Sequence, residues 1–266
     1  MLISAAAAVA VIAYTTAAIL VAIRALSGTV VPRPASLTAA ATGVIAHAGY
    51  LLLAHRGGLD LHFFAALSCV AMLIAVTTLL VNVVRTVDAL GVIVFPLAAI
   101  LVALDTWVAP PTQPNAMDWQ IKLHVIVALL GYALLSVSAV LALLLLAQER
   151  ALRNRDVASH WLRVLPPLTL TESLMFRLVA AGFILLTATL LSGVLFVENL
   201  FAQHLVHKTL LSIVAWIVFG TLLAGRWRYG WRGRRAVRLL LSGMGVLLLA
   251  FFGSKFVLEV LLSRTH

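Results

Sequence analysis

IKLHVIVALLGYALLSVSAVLALLLLA, residues 121–147, decides the class of this protein. Lys122 is its one charge, and after it the only strongly polar side chains are His124, Tyr132, Ser136 and Ser138. A helix rises about 1.5 Å per residue, so a run of this length crosses a hydrocarbon layer about 30 Å thick. Lipid offers no partners to backbone N–H and C=O groups, so a spanning segment has to satisfy them internally as a helix. The reading is a transmembrane helix.

Working outward, the same pattern recurs at 2–23, 36–54, 62–84, 88–106, 173–196, 207–224 and 237–261. The sequence therefore predicts an all-α integral membrane protein, a bundle of about eight transmembrane helices in one polytopic domain, 1–266. The fourth span contains Pro96, which bundled membrane helices tolerate. The first lacks a basic leader and ends at Arg24, as an anchor does and a cleaved signal peptide does not. Composition agrees: 63% of residues are hydrophobic and 11% charged, against about 45–50% and 25% in soluble domains. A soluble enzyme is excluded.

Orientation follows from lysine and arginine, which concentrate on the cytoplasmic side. With the N-terminus outside, 14 of the 19 basic residues fall inside and 5 outside. Both termini then lie on the outer side, the periplasm of a bacterial inner (cytoplasmic) membrane. The net charge of +10 reports these basic loops rather than nucleic-acid binding. The inner segment 225–236 interleaves arginine with Trp227, Tyr229 and Trp231, the pattern of a topology anchor against anionic lipid. Segment 148–172, with Pro166 and Pro167, reads as an inner linker containing a short interfacial helix around Trp161. Segment 107–120 reads as an outer loop framed by Trp107 and Trp119.

The single cysteine, Cys69, excludes a disulfide framework and any Cys-x-x-Cys motif; it reads as a small buried hydrophobe. No acidic or basic residue stands near the middle of a span, and no internal repeat is visible. Both count against an ion-coupled transporter. Lys255 and Glu259, one helical turn apart near the outer end of the last span, can pair with each other.

The histidines carry more. His55, His62, His124, His204, His207 and His266 fall at the outer face, and His47 lies in the outer half of span two. Their acidic companions are Asp60, Asp105, Asp118 and Glu198, without a recognisable metal-ligand spacing. His124 stands one turn into span five, with Tyr132 two turns deeper on a similar face, and His207 opens span seven beside Lys208. Two helices entering from the same side, each with an imidazole in its first turn, can place ligands on opposite faces of a flat cofactor. Lys208 and Lys255 can meet its carboxylates. Other readings of these histidines, including a divalent-metal site or unliganded interfacial groups, stay open on spacing alone.

Four segments then resemble the cytochrome c assembly family of CcsA- and CcmC-like membrane proteins. They are HVIVALLGYALL (124–135), PPLTLTESLMFRLVAAGFILLTATLLSGVLF (166–196), HKTLLSIVAWIVF (207–219) and GWRGRRAVRLLLSGMGVLLLAFFG (230–253). The resemblance covers about residues 120–255 and is nearest to the short, eight-span YpjD-like branch. It implies haem handling near the outer face, with His124 on the histidine that opens the corresponding family helix. The family's tryptophan-rich motif is replaced by ENLFAQHLVHKT, residues 198–209. Lys208 falls on the lysine just after that motif, and His207 on a non-ligand position.

The reading these features imply is a haem-binding, haem-handling protein supporting cytochrome complex assembly, a binding factor rather than an enzyme. Its cofactor would be non-covalent b-type haem, with His124 as one axial ligand to the iron, His207 or His204 as the second, and Lys208, Lys255 and Tyr132 also at the site. Its expected partners are the bilayer, haem, and a partner membrane protein or apocytochrome c. The alternative is a non-haem membrane scaffold or regulatory partner of a metal-ion transport or envelope system. An independent small-solute transporter is a third reading, weakened by the missing mid-membrane charge.

Overall fold

The computed structural model describes residues 1–27, 31–55, 62–85, 87–109, 118–154, 166–196 and 203–253. The expected interfacial helix around Trp161, the residues Lys255, Glu259 and His266, and most of the proline-containing outer loop lie outside them. Among the described residues there are helices and no strands. They are α1 (Leu2–Ser27), α2 (Arg33–Ala54), α3 (Phe63–Val84), α4 (Ala89–Trp107), α5 (Trp119–Arg153), α6 (Leu168–Phe196), α7 (Gln203–Tyr229) and α8 (Gly233–Leu248). A π-helical turn, Leu249–Gly253, continues α8. Among the described residues, eight helices are long and apolar enough to cross a membrane, as expected, and α4 runs unbroken through Pro96. Helices α5 and α7 outrun their apolar cores into Gln148–Arg153 and Arg226–Tyr229, because glutamine, glutamate and arginine are good helix formers once water is available.

Two compact units emerge. One comprises Met1–Ala116 with Ala147–Thr171, the other Met117–Leu146 with Glu172–His266. In the first unit, α1 packs on α2 and α4 through small residues. Ala7, Ala10, Tyr14, Ala17 and Val21 recur at helical spacing and are buried, which lets backbones approach as membrane helices require. Tyr14 stacks on Phe95 at 6.1 Å and fits against Gly43, where a Cβ would lie 2.6 Å from the ring.

Polar staples close this unit at both ends. Arg24 Nη1 donates to Asp88 Oδ2 at 2.6 Å and Nη2 to Ser36 Oγ at 2.8 Å. Arg33 lies 3.5 Å from Asp88 Oδ1 and donates to the Asn82 carbonyl. The Asn82 side chain in turn receives the Val87 N–H at 3.1 Å. Toward the other end, His47 Nε2 is 3.0 Å from Ser68 Oγ, and its Nδ1 is 3.4 Å from Tyr14 Oη. Tyr50 Oη donates to Asp105 Oδ2 at 2.9 Å, and His62 Nε2 lies 3.7 Å from Asp105 Oδ1. Asp105, within the expected fourth span, lies in the last turn of α4 and is buried. Cys69 is buried, as expected.

In the second unit, α5 and α6 run antiparallel and cross at Gly131 and Gly182. A Cβ on Gly131 would stand 3.4 Å from Leu185 Cβ, and one on Gly182 2.7 Å from Leu135 Cγ. Helix α7 joins through Trp216, which stacks on Phe183 at 5.5 Å and donates to Thr187 Oγ1 at 2.9 Å. Helix α8 meets α7 where Phe219 fits over Gly243. The α7–α8 turn uses left-handed backbone at Gly230 (φ 65°) and Gly233 (φ 56°), which glycine adopts without strain. Glu172 accepts hydrogen bonds from Arg226 and Arg232, each at 3.2 Å.

Candidate functional site

The glycine crossing brings α5 close enough to α6 for side chains to meet further along. Two turns from Gly131, His124 Nδ1 comes within 2.8 Å of Ser192 Oγ. Ser192 Oγ also lies 3.0 Å from the Thr189 carbonyl, one turn back on its own helix. His124 is half-buried.

A cavity of about 290 Å³ opens beside this pair, within the second unit. All four helices line it: α5 from His124 to Leu135, α6 from Leu186 to Val194, α7 at Lys208, Thr209, Ser212 and Ile213, and α8 with its π-helical turn at Leu247, Ala250 and Phe251. Its volume is at the small end for cofactor pockets. Most of the wall is aliphatic. The polar groups are the His124 imidazole, the Lys208 ammonium and a few hydroxyls.

Of the residues singled out from the sequence, His124, Lys208 and Tyr132 line this cavity. The Tyr132 hydroxyl donates to the Leu247 carbonyl, so it ties α5 to the last turn of α8, just before the π-helical turn. Its ring lies against Phe251 and Phe252, at 5.7 and 5.8 Å. Tyr132 shapes the floor, and its proton is already committed. His207 is exposed and is not among the lining residues. It stands about 100° around α7 from Lys208, which follows from 3.6 residues per turn. His204 occupies the register position one turn before Lys208. Lys255 lies outside the described residues.

Sequence reasoning missed Ser192, a hydroxyl in an apolar span with nothing local to mark it. The signal was available in the pairing of α5 with α6. An antiparallel register that sets Gly131 against Leu185 and Leu135 against Gly182 carries Ser192 to His124. It also missed the buried group of His47, Ser68, Tyr14, Tyr50 and Asp105 in the first unit, which links α1, α2, α3 and α4. Among the described residues, no three histidine, cysteine or acidic side chains are grouped to hold a metal ion.

The family model for cytochrome c assembly proteins matches residues 30–262. The inner membrane protein YpjD of Escherichia coli (strain K12) is 36% identical over 175 residues, 64% of this chain and 64% of its own length. An uncharacterized 28.8 kDa protein of Azospirillum brasilense is 40% identical over 156 residues, 58% of this chain and 57% of its own. The cytochrome c biogenesis protein CcsA of Synechococcus sp. (strain RCC307) is 27% identical over 188 residues, 59% and 60% of the two chains. The chain thus matches somewhat under two thirds of the length of these curated relatives. No solved structure matches.

Proposed function

We propose that this chain, which belongs to the cytochrome c assembly protein family, is a multi-pass inner-membrane protein that binds haem non-covalently and supports cytochrome complex assembly. It acts by binding rather than by turnover. The observation that carries the reading is the His124 imidazole lining an otherwise largely aliphatic cavity that Lys208 also lines.

The donor set fits the group. Imidazole is a common axial ligand to haem iron, aliphatic walls suit a porphyrin face, and an ammonium suits a propionate. Haem, when bound, supplies an iron that takes axial ligands and changes oxidation state. The remaining work belongs to the protein. His124 offers a ring nitrogen, Lys208 offers charge to a carboxylate, and Tyr132 braces the cavity floor through Leu247. A second ring nitrogen would come from His204, one helical turn before Lys208 in register, with His207, beside Lys208 in sequence, as the alternative. Lys255 is the candidate partner for a second propionate. The recipient of the haem is an apocytochrome c or a partner membrane protein.

Absorbance spectra of the detergent-purified chain, oxidised and then reduced, test this. A Soret band with sharpened reduced bands is expected, and His124→Ala removes or strongly weakens it. His204→Ala converts the spectrum toward a five-coordinate form, and His207→Ala leaves it unchanged. A Soret band untouched by His124→Ala overturns the assignment of His124. No Soret band even after hemin is added returns the chain to the scaffold or regulatory reading.

A further inference from the structure

The environment of His124 decides which of its nitrogens carries the proton. A serine hydroxyl has one hydrogen and two lone pairs. Ser192 Oγ lies 3.0 Å from the Thr189 carbonyl, which can only accept, and 2.8 Å from His124 Nδ1. Both contacts are hydrogen bonds at once only in one arrangement. Ser192 gives its hydrogen to Thr189, in the back-bond that helical serines commonly make, and accepts one from Nδ1. The ring is then the Nδ1–H tautomer, and the Nε2 lone pair is left for a ligand. In the opposite arrangement Ser192 donates to Nδ1, the Thr189 contact is lost, and Nε2 carries a hydrogen that blocks coordination.

We propose that Ser192 is a positioning residue: through Thr189 it holds His124 as the Nδ1–H tautomer and in the ring orientation that offers Nε2 to the cavity ligand. The identity of that ligand rests on the haem reading; the tautomer does not. Histidines that bind metals regularly donate their second ring N–H to an oxygen that fixes the tautomer and raises the basicity of the ligating nitrogen. Here the oxygen comes from a helix 68 residues away in sequence, so the α5–α6 crossing itself builds the ligand.

The test uses the full chain in lipid nanodiscs without haem, labelled with ¹⁵N-histidine. The His124 signals are identified by their loss in His124→Ala. Nδ1 is expected to be protonated in the wild type. Ser192→Ala should give a mixture of tautomers, and Ser192→Thr, which keeps a hydroxyl able to make both bonds, should restore the wild-type signals. Hemin titration of the same proteins should show Ser192→Ala weakened by about 10–100-fold and Ser192→Thr close to wild type. A protonated Nε2 in the wild type, or a tautomer unchanged in Ser192→Ala, overturns the proposal. If hemin fails to bind the wild type while the tautomer still depends on Ser192, the positioning role stands and the haem reading falls. Thermal melting of each variant separates a folding defect from loss of positioning.

Discussion

Replacing Gly182 with alanine tests the geometry on which the site depends. A Cβ there would stand 2.7 Å from Leu135 Cγ, 2.9 Å from its Cδ2 and 3.4 Å from its backbone nitrogen. Leu135 is only 1% exposed, so it cannot swing clear, and the helices have to separate. Overpacking of this kind costs about 1–3 kcal/mol. Alanine also gains helix propensity over glycine, worth up to about 1 kcal/mol, so the clash has to be read against a control. Gly245 in α8 supplies one, since a Cβ there meets nothing within 4 Å. Gly245→Ala is expected to be neutral or stabilising. The two variants should differ by about 1–3 kcal/mol, roughly 5- to 150-fold in the unfolding equilibrium. Titration with sodium dodecyl sulfate in mixed micelles, followed by tryptophan fluorescence, measures this. Trimming Leu135 in the double variant Gly182→Ala/Leu135→Ala should recover part of the clash as a favourable coupling. The same separation lengthens the His124–Ser192 contact, so hemin affinity should fall with stability. Gly182→Ala and Gly245→Ala agreeing within about 0.5 kcal/mol would refute the close crossing and the register built on it.

Asp88→Ala should destabilise the first unit by about 1–3 kcal/mol, because it leaves Arg24 and Arg33 facing each other without their shared carboxylate; a lowered midpoint in the same titration checks this, and an unchanged one removes the ion pair from the stability of the unit. At the α7–α8 turn, Arg235 lies 3.6 Å over the Trp231 ring, and Trp227 and Tyr229 are 90% and 73% exposed. Replacing Arg228, Arg234 and Arg238 together by glutamine should lower the anionic phospholipid that co-purifies with the protein, read by mass spectrometry, while leaving Glu172 paired with Arg226 and Arg232.

The parts of the site that could be read in advance share a reason. His124 and Lys208 are polar groups in the first turns of apolar spans, and such groups stand out because lipid makes them costly. Tyr132 stood out for the same reason and lines the same cavity. The sequence showed a hydroxyl deep in a helix, and only the fold showed Leu247 waiting to accept from it. His207 stood out beside Lys208, and only the packed helices showed it exposed and off the cavity lining. Ser192 and Ser68 carried no mark at all, since a lone serine in a span can be satisfied by its own helix.

By itself the sequence determined the eight spans, their helical state and the depth at which each polar group enters. A bilayer leaves the backbone no other way to satisfy its hydrogen bonds, and length and hydropathy are enough to see that. It did not determine which side of each helix faces protein. In water an apolar stripe marks the buried face, but lipid is as apolar as a leucine, so both faces of these helices carry the same residues. That choice belongs to small-residue contacts such as Gly131 with Gly182, whose register is visible only once the helices are side by side. Because the crossing sets the distance between His124 and Ser192, the tertiary structure alone decided which nitrogen of that histidine is offered to a ligand.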